Sequence, residues 1–215
     1  MIIMALAARQ LEYATEYKVL DHCHMESALH CLAEAFLDEP LLKFLNIPYQ
    51  ATADILRPRL HTSIEQGLSV IAVEGDRVVS TIFCDDNNED HVPYPNEQQW
   101  EGYWQPVFDL LGKLHGESVM EQAMHAQGLK FYHLFFAGTV RDARNKGHLR
   151  QLMRMSLEVA RKKGFDVAMV EASSKGTQKA CRDFGYELAH TVEYKDVPTL
   201  AALHDEKIEL FLLKI

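Results

Sequence analysis

The chain has 215 residues, 47% of them hydrophobic and 25% charged, with 11 glycines and 7 prolines. That balance supplies a core for one compact domain and excludes collagenous, low-complexity and largely disordered chains. A net charge of −9 argues against a general binder of nucleic acid or anionic membrane, whose phosphates are held by clustered lysine and arginine.

The apolar opening from Met1 to Arg9 lacks the basic lead-in of a secretory signal and reads as an N-terminal strand or a disordered lead. No apolar run reaches the roughly 18 residues that span a bilayer. Cys23, Cys31, Cys84 and Cys181 have neither metal-site spacing nor the density of a disulfide scaffold, so reduced thiols in a cytoplasmic protein are expected. Behind Asp21 as N-cap, Met25, Ala28, Leu29, Leu32 and Phe36 recur at helical spacing. Pro40 then disfavours helical geometry at Glu39 and puts that carboxylate at a helix end or in a turn. A second helix is predicted over 51–66, closed by Gly67.

The runs 68–73 and 77–83 read as a hairpin across Glu74-Gly75-Asp76, and 85–90 as an exposed acidic loop. This loop lacks the glycine and final glutamate of a calcium-binding EF-hand. Residues 100–127 are predicted to be mostly helical and to cover one side of a cleft. Within them Trp100, Tyr103 and Trp104 are candidates for an amine pocket, with Asp85, Asp86 or Glu89 drawing its positive charge; core packing is the competing reading. An aromatic central strand follows over 129–137, then a helix whose apolar face is Leu149, Leu152, Met153, Leu157 and Ala160, ended by Gly164. Strands over 165–170, 187–194 and 208–215, with a short helix over 177–184, complete an α/β chain with a mixed sheet. His22, His24, His115, His125 and His133 lack the compact spacing of a metal site, so no metal is expected.

Charge is unevenly distributed. Residues 141–163 hold eight bases against two acids, a local balance of +6, which leaves −15 for the remainder. The turn Arg144-Asn145-Lys146-Gly147-His148-Leu149 lies within this segment, between a strand and a helix. Such a turn aims unpaired amides and the positive helix end at one point, as a diphosphate requires. The glycine patterns of dinucleotide-binding and nucleotide-hydrolysing loops are absent, which points to a different phosphate-bearing cofactor.

Here the chain resembles the GNAT superfamily of acyl-CoA-dependent N-acyltransferases, whose pyrophosphate loop reads Gln/Arg-x-x-Gly-x-Gly/Ala. Arg144 and Gly147 match, Leu149 replaces the small final residue, and Gly185-Tyr186 stands where such chains often carry Gly-Phe. Two more matches resemble the arylalkylamine N-acetyltransferase-like enzymes: Phe36-Leu37-Asp38-Glu39-Pro40-Leu41, whose glutamate is their general base, and Ser173-Ser174-Lys175-Gly176-Thr177, whose first and last hydroxyls have catalytic or binding roles. Cys181 occupies the position where many GNAT enzymes carry a tyrosine acid.

The resemblance implies a single domain over 1–215 with a helical insert near 95–127. Its fold would be a GNAT-like mixed, mostly antiparallel twisted sheet flanked by helices. It further implies acetyl-CoA as cosubstrate and a small primary amine, arylalkyl in type, as acceptor, with no nucleic-acid or membrane partner. Transfer would be direct, with Glu39 as base and Ser173, Thr177 or water protonating the leaving thiolate. Phe136, Ala137 and Thr139 would hold the pantetheine arm, Arg144, Asn145, Lys146, Gly147, His148, Leu149 and Arg150 would surround the phosphates, and Ser174 would also bind the cofactor. Two other readings stay open: a non-catalytic acyl-CoA-binding module, suggested by Leu149 and Cys181, and an acetyltransferase of proteins or peptides.

Overall fold

A computed structural model describes residues 14–87 and 97–215. The reading of Met1 to Arg9, and Glu89 of the acidic stretch, lie outside these residues. The elements run β1 (Glu16–Val19), α1 (Met25–Phe36), α2 (Pro40–Phe44), α3 (Tyr49–Gln66), β2 (Val70–Glu74), β3 (Arg77–Asp86), α4 (Glu97–Gly116) and α5 (Val119–Ala126). They continue with β4 (Phe131–Thr139), α6 (His148–Lys163), β5 (Val167–Ala172), α7 (Lys175–Asp183), β6 (Glu187–Glu193) and β7 (Lys207–Lys214).

The strands form one sheet in the order β1-β2-β3-β4-β5-β7-β6, antiparallel throughout except for the β4–β5 pair. That exception positions the site. β4 and β5 are in register only at Phe131–Val167, Tyr132–Ala168 and His133–Met169. Beyond His133, Leu134 and Phe136 to Thr139 pair with β3 alone, so the β5-facing edge of β4 opens. The divergence begins at a bulge: Phe83 faces Phe136 and Cys84 faces Leu134, leaving Phe135 as the extra residue. An extra residue bends the strand and increases its twist, which turns β4 away from β5 at this point.

α1 packs on α3 and onto β3 and β4. Its apolar stripe of Ala28, Leu29, Leu32 and Ala33 is buried. The approach to β4 is close, because a Cβ on Gly138 would lie 2.9 Å from Ala35 Cβ and 3.2 Å from Leu32 Cδ2. Gly138 therefore sets the distance between helix and strand, and with it the position of the chain that leaves α1. α6 covers β2, β3 and β4, its start tied to β1 by a 2.9 Å hydrogen bond between Tyr17 Oη and His148 Nδ1.

Several sequence expectations need refinement or correction. The stretch expected to be mostly helical over 100–127 is so, as two helices, because Ser118 is extended and its Oγ caps α5 by accepting the Glu121 amide. Asp85 and Asp86 belong to β3, opposite His133 and Tyr132, rather than to an exposed loop. Asp21 caps a single 3-10 turn, His22–His24, that precedes α1. α2, five residues long with Pro40 in its first turn, was not expected. All four cysteines are free, and only Cys23 is exposed. Among the described residues no helix is long and apolar enough to cross a membrane.

Candidate active site

A cleft of about 570 Å³ occupies the opening between β4 and β5. Four segments build it: the end of α1 with α2, the free edge of β4, the turn that starts α6, and the link from β5 into α7. α4 closes one side with Trp104, Val107, Phe108 and Leu111.

Glu39 stands at the junction of α1 and α2. Its extended backbone (φ −68°, ψ 128°) follows from the proline after it, and its side chain caps α2 by accepting the Leu42 amide at 2.8 Å. Ser173, on the link after β5, lines the cleft with it, and its hydroxyl favours the ionised form of that carboxylate. Burial raises the Glu39 carboxyl above its ordinary value even though the Leu42 amide, Ser173 and the Leu41 amide favour its ionised form, and Glu206 adds to the rise. A half-buried carboxylate held by neutral donors, poised to take a proton nearer neutrality than a free glutamate, is suited to general-base work.

Across the cleft, Asn145 (φ 65°) and Gly147 (φ 84°) both adopt left-handed backbone, and Gly147 is the N-cap of α6. A Cβ on Gly147 would meet nothing within 4 Å, so the glycine serves the backbone conformation and leaves the space before it open. The amides of Gly147, His148, Leu149 and Arg150 have no acceptor among the described residues. Four free N–H groups and the positive end of a 16-residue helix suit an anion. Arg144 braces the turn through Nε to the Thr139 carbonyl at 3.1 Å, and with Arg141 it grips Asp38.

Of the residues selected from sequence, Glu39, Phe136, Ala137, Thr139, Arg144, Asn145, Gly147, His148, Leu149, Arg150, Ser173, Ser174 and Thr177 all line this cleft. Lys146 does not; its Nζ turns to Glu74 at 3.6 Å. The His148 side chain is buried against Tyr17, leaving its backbone at the cleft end of α6. Arg150 pairs with Asp183 at 2.6 Å. Ser174 caps α7, accepting the Thr177 amide and meeting the Thr177 hydroxyl at 2.9 Å, while Ser173 is the hydroxyl that faces Glu39. Cys181 is fully buried and off the cleft, its thiol pushed up to about 12 by burial. Of the aromatic cluster only Trp104 lines the cleft: Trp100 bonds Asp54 on α3 and Tyr103 is exposed.

Sequence reading missed the cleft floor. Glu171, on β5, is buried, and each of its oxygens has a histidine: Oε1 with His115 Nε2 at 2.9 Å and Oε2 with His133 Nε2 at 2.7 Å. The rings are held behind by Glu121 at 2.9 Å and Asp85 at 3.0 Å, and Arg59 Nη1 lies 3.6 Å from Asp85. Burial opposes each charge. Even so, Glu121 and Glu171 lift His115 to about 9, Glu171 and Asp85 lift His133 to about 10, and the two imidazoles hold Glu171 well below the usual carboxylate range. The signal available in the sequence was one acid within the apolar run Val167–Ala172. Among the described residues no group of three or more His, Cys, Asp or Glu is arranged to hold a metal ion.

No family model matches the chain, and no curated protein matches it significantly. Solved structures do. The C-terminal condensation domain of Ebony, solved with beta-alanyl-dopamine, superposes with a TM-score of 0.75 at 17% identity, over 94% of this chain and 100% of that one. Arylalkylamine N-acetyltransferase 2 from Aedes aegypti gives 0.75 at 18% identity, over 94% and 99%. The Drosophila melanogaster polyamine N-acetyltransferase, which forms N-acetylagmatine, gives 0.72 at 18%, over 94% and 100%. The chain therefore has the GNAT fold, the mostly antiparallel open sheet with flanking helices expected from its sequence.

Proposed function

We propose that this protein is an acetyl-CoA-dependent N-acetyltransferase acting on a small primary amine of the arylalkyl type, by direct transfer with Glu39 as general base. The observation that carries the reading is one cleft holding both halves of the chemistry. A half-buried carboxylate with no cationic partner among the described residues stands on one side, and the open amides at the start of α6 on the other. The names of the solved structures sharing the fold, which include acetyltransferases of amines, support the same reaction class.

The residues fit the coenzyme. The amides of Gly147 to Arg150 would take its diphosphate, with Arg144 adding charge beside them. The unpaired edge of β4 at Phe136, Ala137 and Thr139 would hold the pantetheine arm as an added strand does, and an N–H there would polarise the thioester carbonyl. The bound group supplies the activated acetyl carbon.

Glu39 takes the proton from the substrate ammonium, and the freed nitrogen lone pair attacks the carbonyl carbon. As the C–N bond replaces the C–S bond, Ser173 or Thr177 passes its proton to the departing sulfur and recovers one from the amide nitrogen, directly or through water. Cys181, buried and off the cleft, has no part in this step. Phe36, Trp104, Phe108 and Phe135 would receive the apolar part of the amine.

The test is a panel of small amines incubated with acetyl-CoA, reading thiol release. Turnover that collapses in Glu39→Gln while coenzyme affinity stays is the expected result. Tight coenzyme binding with no turnover on any amine would select the non-catalytic module, and peptides outperforming small amines would select a protein acetyltransferase.

A further inference from the structure

Among the described residues three carboxylates line the cleft: Asp38, Glu39 and Glu171. A cleft with three acidic walls would ordinarily welcome a molecule with several positive charges. Two of the three are already neutralised from within. Asp38 is gripped by Arg141 at 2.8 Å and Arg144 at 3.2 Å, on the side of the α6 turn. Glu171 has an imidazole on each oxygen, His133 from β4 and His115 from α4. Only Glu39 faces the cleft with neutral donors alone.

The groups around Glu171 fix its charge state from every side. His115 is backed by Glu121 on α5, and His125 stands 3.6 Å from Glu121. His133 is backed by Asp85 on β3, and Asp85 meets Arg59 of α3. The result is an alternating chain of acids and bases in which Glu171 offers no uncompensated charge to the cleft. Arg59 also lies over the Phe135 ring, 4.5 Å from its centroid, occupying with a cation an aromatic face that could otherwise attract one. His115 belongs to the helix that supplies Trp104, Val107, Phe108 and Leu111 to the cleft wall.

We propose that His115 is a specificity-determining residue: by capping Glu171 on the cleft floor it leaves Glu39 as the single carboxylate open to an amine among the described cleft residues, so that the protein takes monoamines with an apolar tail and rejects diamines and polyamines. This rests on the acetyltransferase reading and narrows it. A second ammonium would enter a region whose carboxylates are already paired with two imidazoles and a guanidinium, and would shed its water with no unpaired carboxylate among the described cleft residues to receive it.

The test pairs amines that differ only by one terminal amino group, butylamine with putrescine and hexylamine with hexamethylenediamine, on wild type, His115→Gln, and the double variant His115→Gln/Glu171→Gln. Thermal melting checks that each is folded. Two ratios of diamine to monoamine are read: acetylation kcat/KM, and equilibrium binding by calorimetry. Wild type is expected to favour the monoamine by about tenfold or more, the scale of one charge-assisted hydrogen bond. In His115→Gln the ratio rises about tenfold toward the diamine, and the gain disappears in the double variant because it needs the Glu171 carboxylate. A wild type that prefers diamines overturns the proposal without recourse to any variant. So does an unchanged binding ratio in folded His115→Gln, or a gain that survives in the double variant. Absence of acetylation with every amine would strike the acetyltransferase reading instead, and the binding ratio would still decide this one.

Discussion

The Glu39 carboxylate accepts the Leu42 amide at 2.8 Å, so the proposed base is fixed by the helix that begins beside it. That bond favours the charged form and burial disfavours it, with burial the larger influence. The ascending limb of kcat/KM against pH is therefore expected above the range of an ordinary glutamate. Activity should fall as the pH drops through that raised value and the carboxylate protonates. In Glu39→Gln the limb disappears and the rate falls by about 10²–10⁴-fold, the usual worth of a positioned acid or base. A limb that persists in Glu39→Gln belongs to another group.

Gly147 holds φ at 84° with open space before it. Gly147→Ala meets no atom, so its penalty is conformational, about 1 kcal/mol of stability. A larger consequence is expected at the anion site, because the amides of Gly147 to Arg150 point as that backbone directs them. Coenzyme affinity measured by calorimetry should drop several-fold more than stability alone would explain. Lys146→Ala, whose side chain turns to Glu74, should leave that affinity nearly unchanged.

Gly138 is a different kind of glycine, required by proximity. A methyl group there would press on Ala35 and Leu32, and with no room to spare Gly138→Ala should cost about 1–3 kcal/mol and push α1 outward. Glu39 rides on the chain leaving α1, so kcat should fall while the coenzyme constant changes little. Adding Ala35→Gly removes the nearest clash and should restore activity more fully than stability, since glycine within a helix costs about 1 kcal/mol of its own. Enzyme kinetics and thermal melting on the single and double variants read the two effects separately.

The chain of Glu121, His115, Glu171, His133 and Asp85 makes stability depend on pH in both directions. His115 and His133 have folded values near 9 and 10, raised above the unfolded 6.5, so their contribution is complete below about pH 6.5 and is lost as pH rises through 9 to 10. Glu171 is lowered, so its contribution is present above the unfolded 4.5 and is lost as pH falls below it. Melting temperature should peak between about pH 5 and 7 and decline on both sides. In His133→Gln/Glu171→Gln both slopes should flatten; a double variant with the wild-type profile would show that other groups carry them.

Much of this was legible in the residues. Helical spacing found α1 and α6, and the Pro40 constraint put Glu39 at a helix end where the structure has it. The glycine in the basic turn indicated open amides at the start of α6. What escaped was set by contacts between distant segments. The bulge at Phe135 has no local signature, yet it opens the sheet and creates the cleft. Glu171, His115 and His133 are far apart in the chain and meet because β4 and β5 run side by side and the end of α4 brings His115 to Glu171. Lys146 looked like a phosphate ligand by position, but the left-handed residues on either side of it turn its side chain toward β2. Ser173 and Ser174 are adjacent in sequence and part in role, one facing Glu39 and the other capping α7, which only the geometry separates.

The most direct test of the central claim is a crystal structure of the protein with coenzyme A and an amine bound. The account predicts the diphosphate against the amides of Gly147 to Arg150, the pantetheine arm along the open edge of β4, and the amine nitrogen between the sulfur and Glu39. A coenzyme seated away from the α6 turn, or a Glu39 carboxylate turned from the sulfur with the amine bound elsewhere, would contradict it.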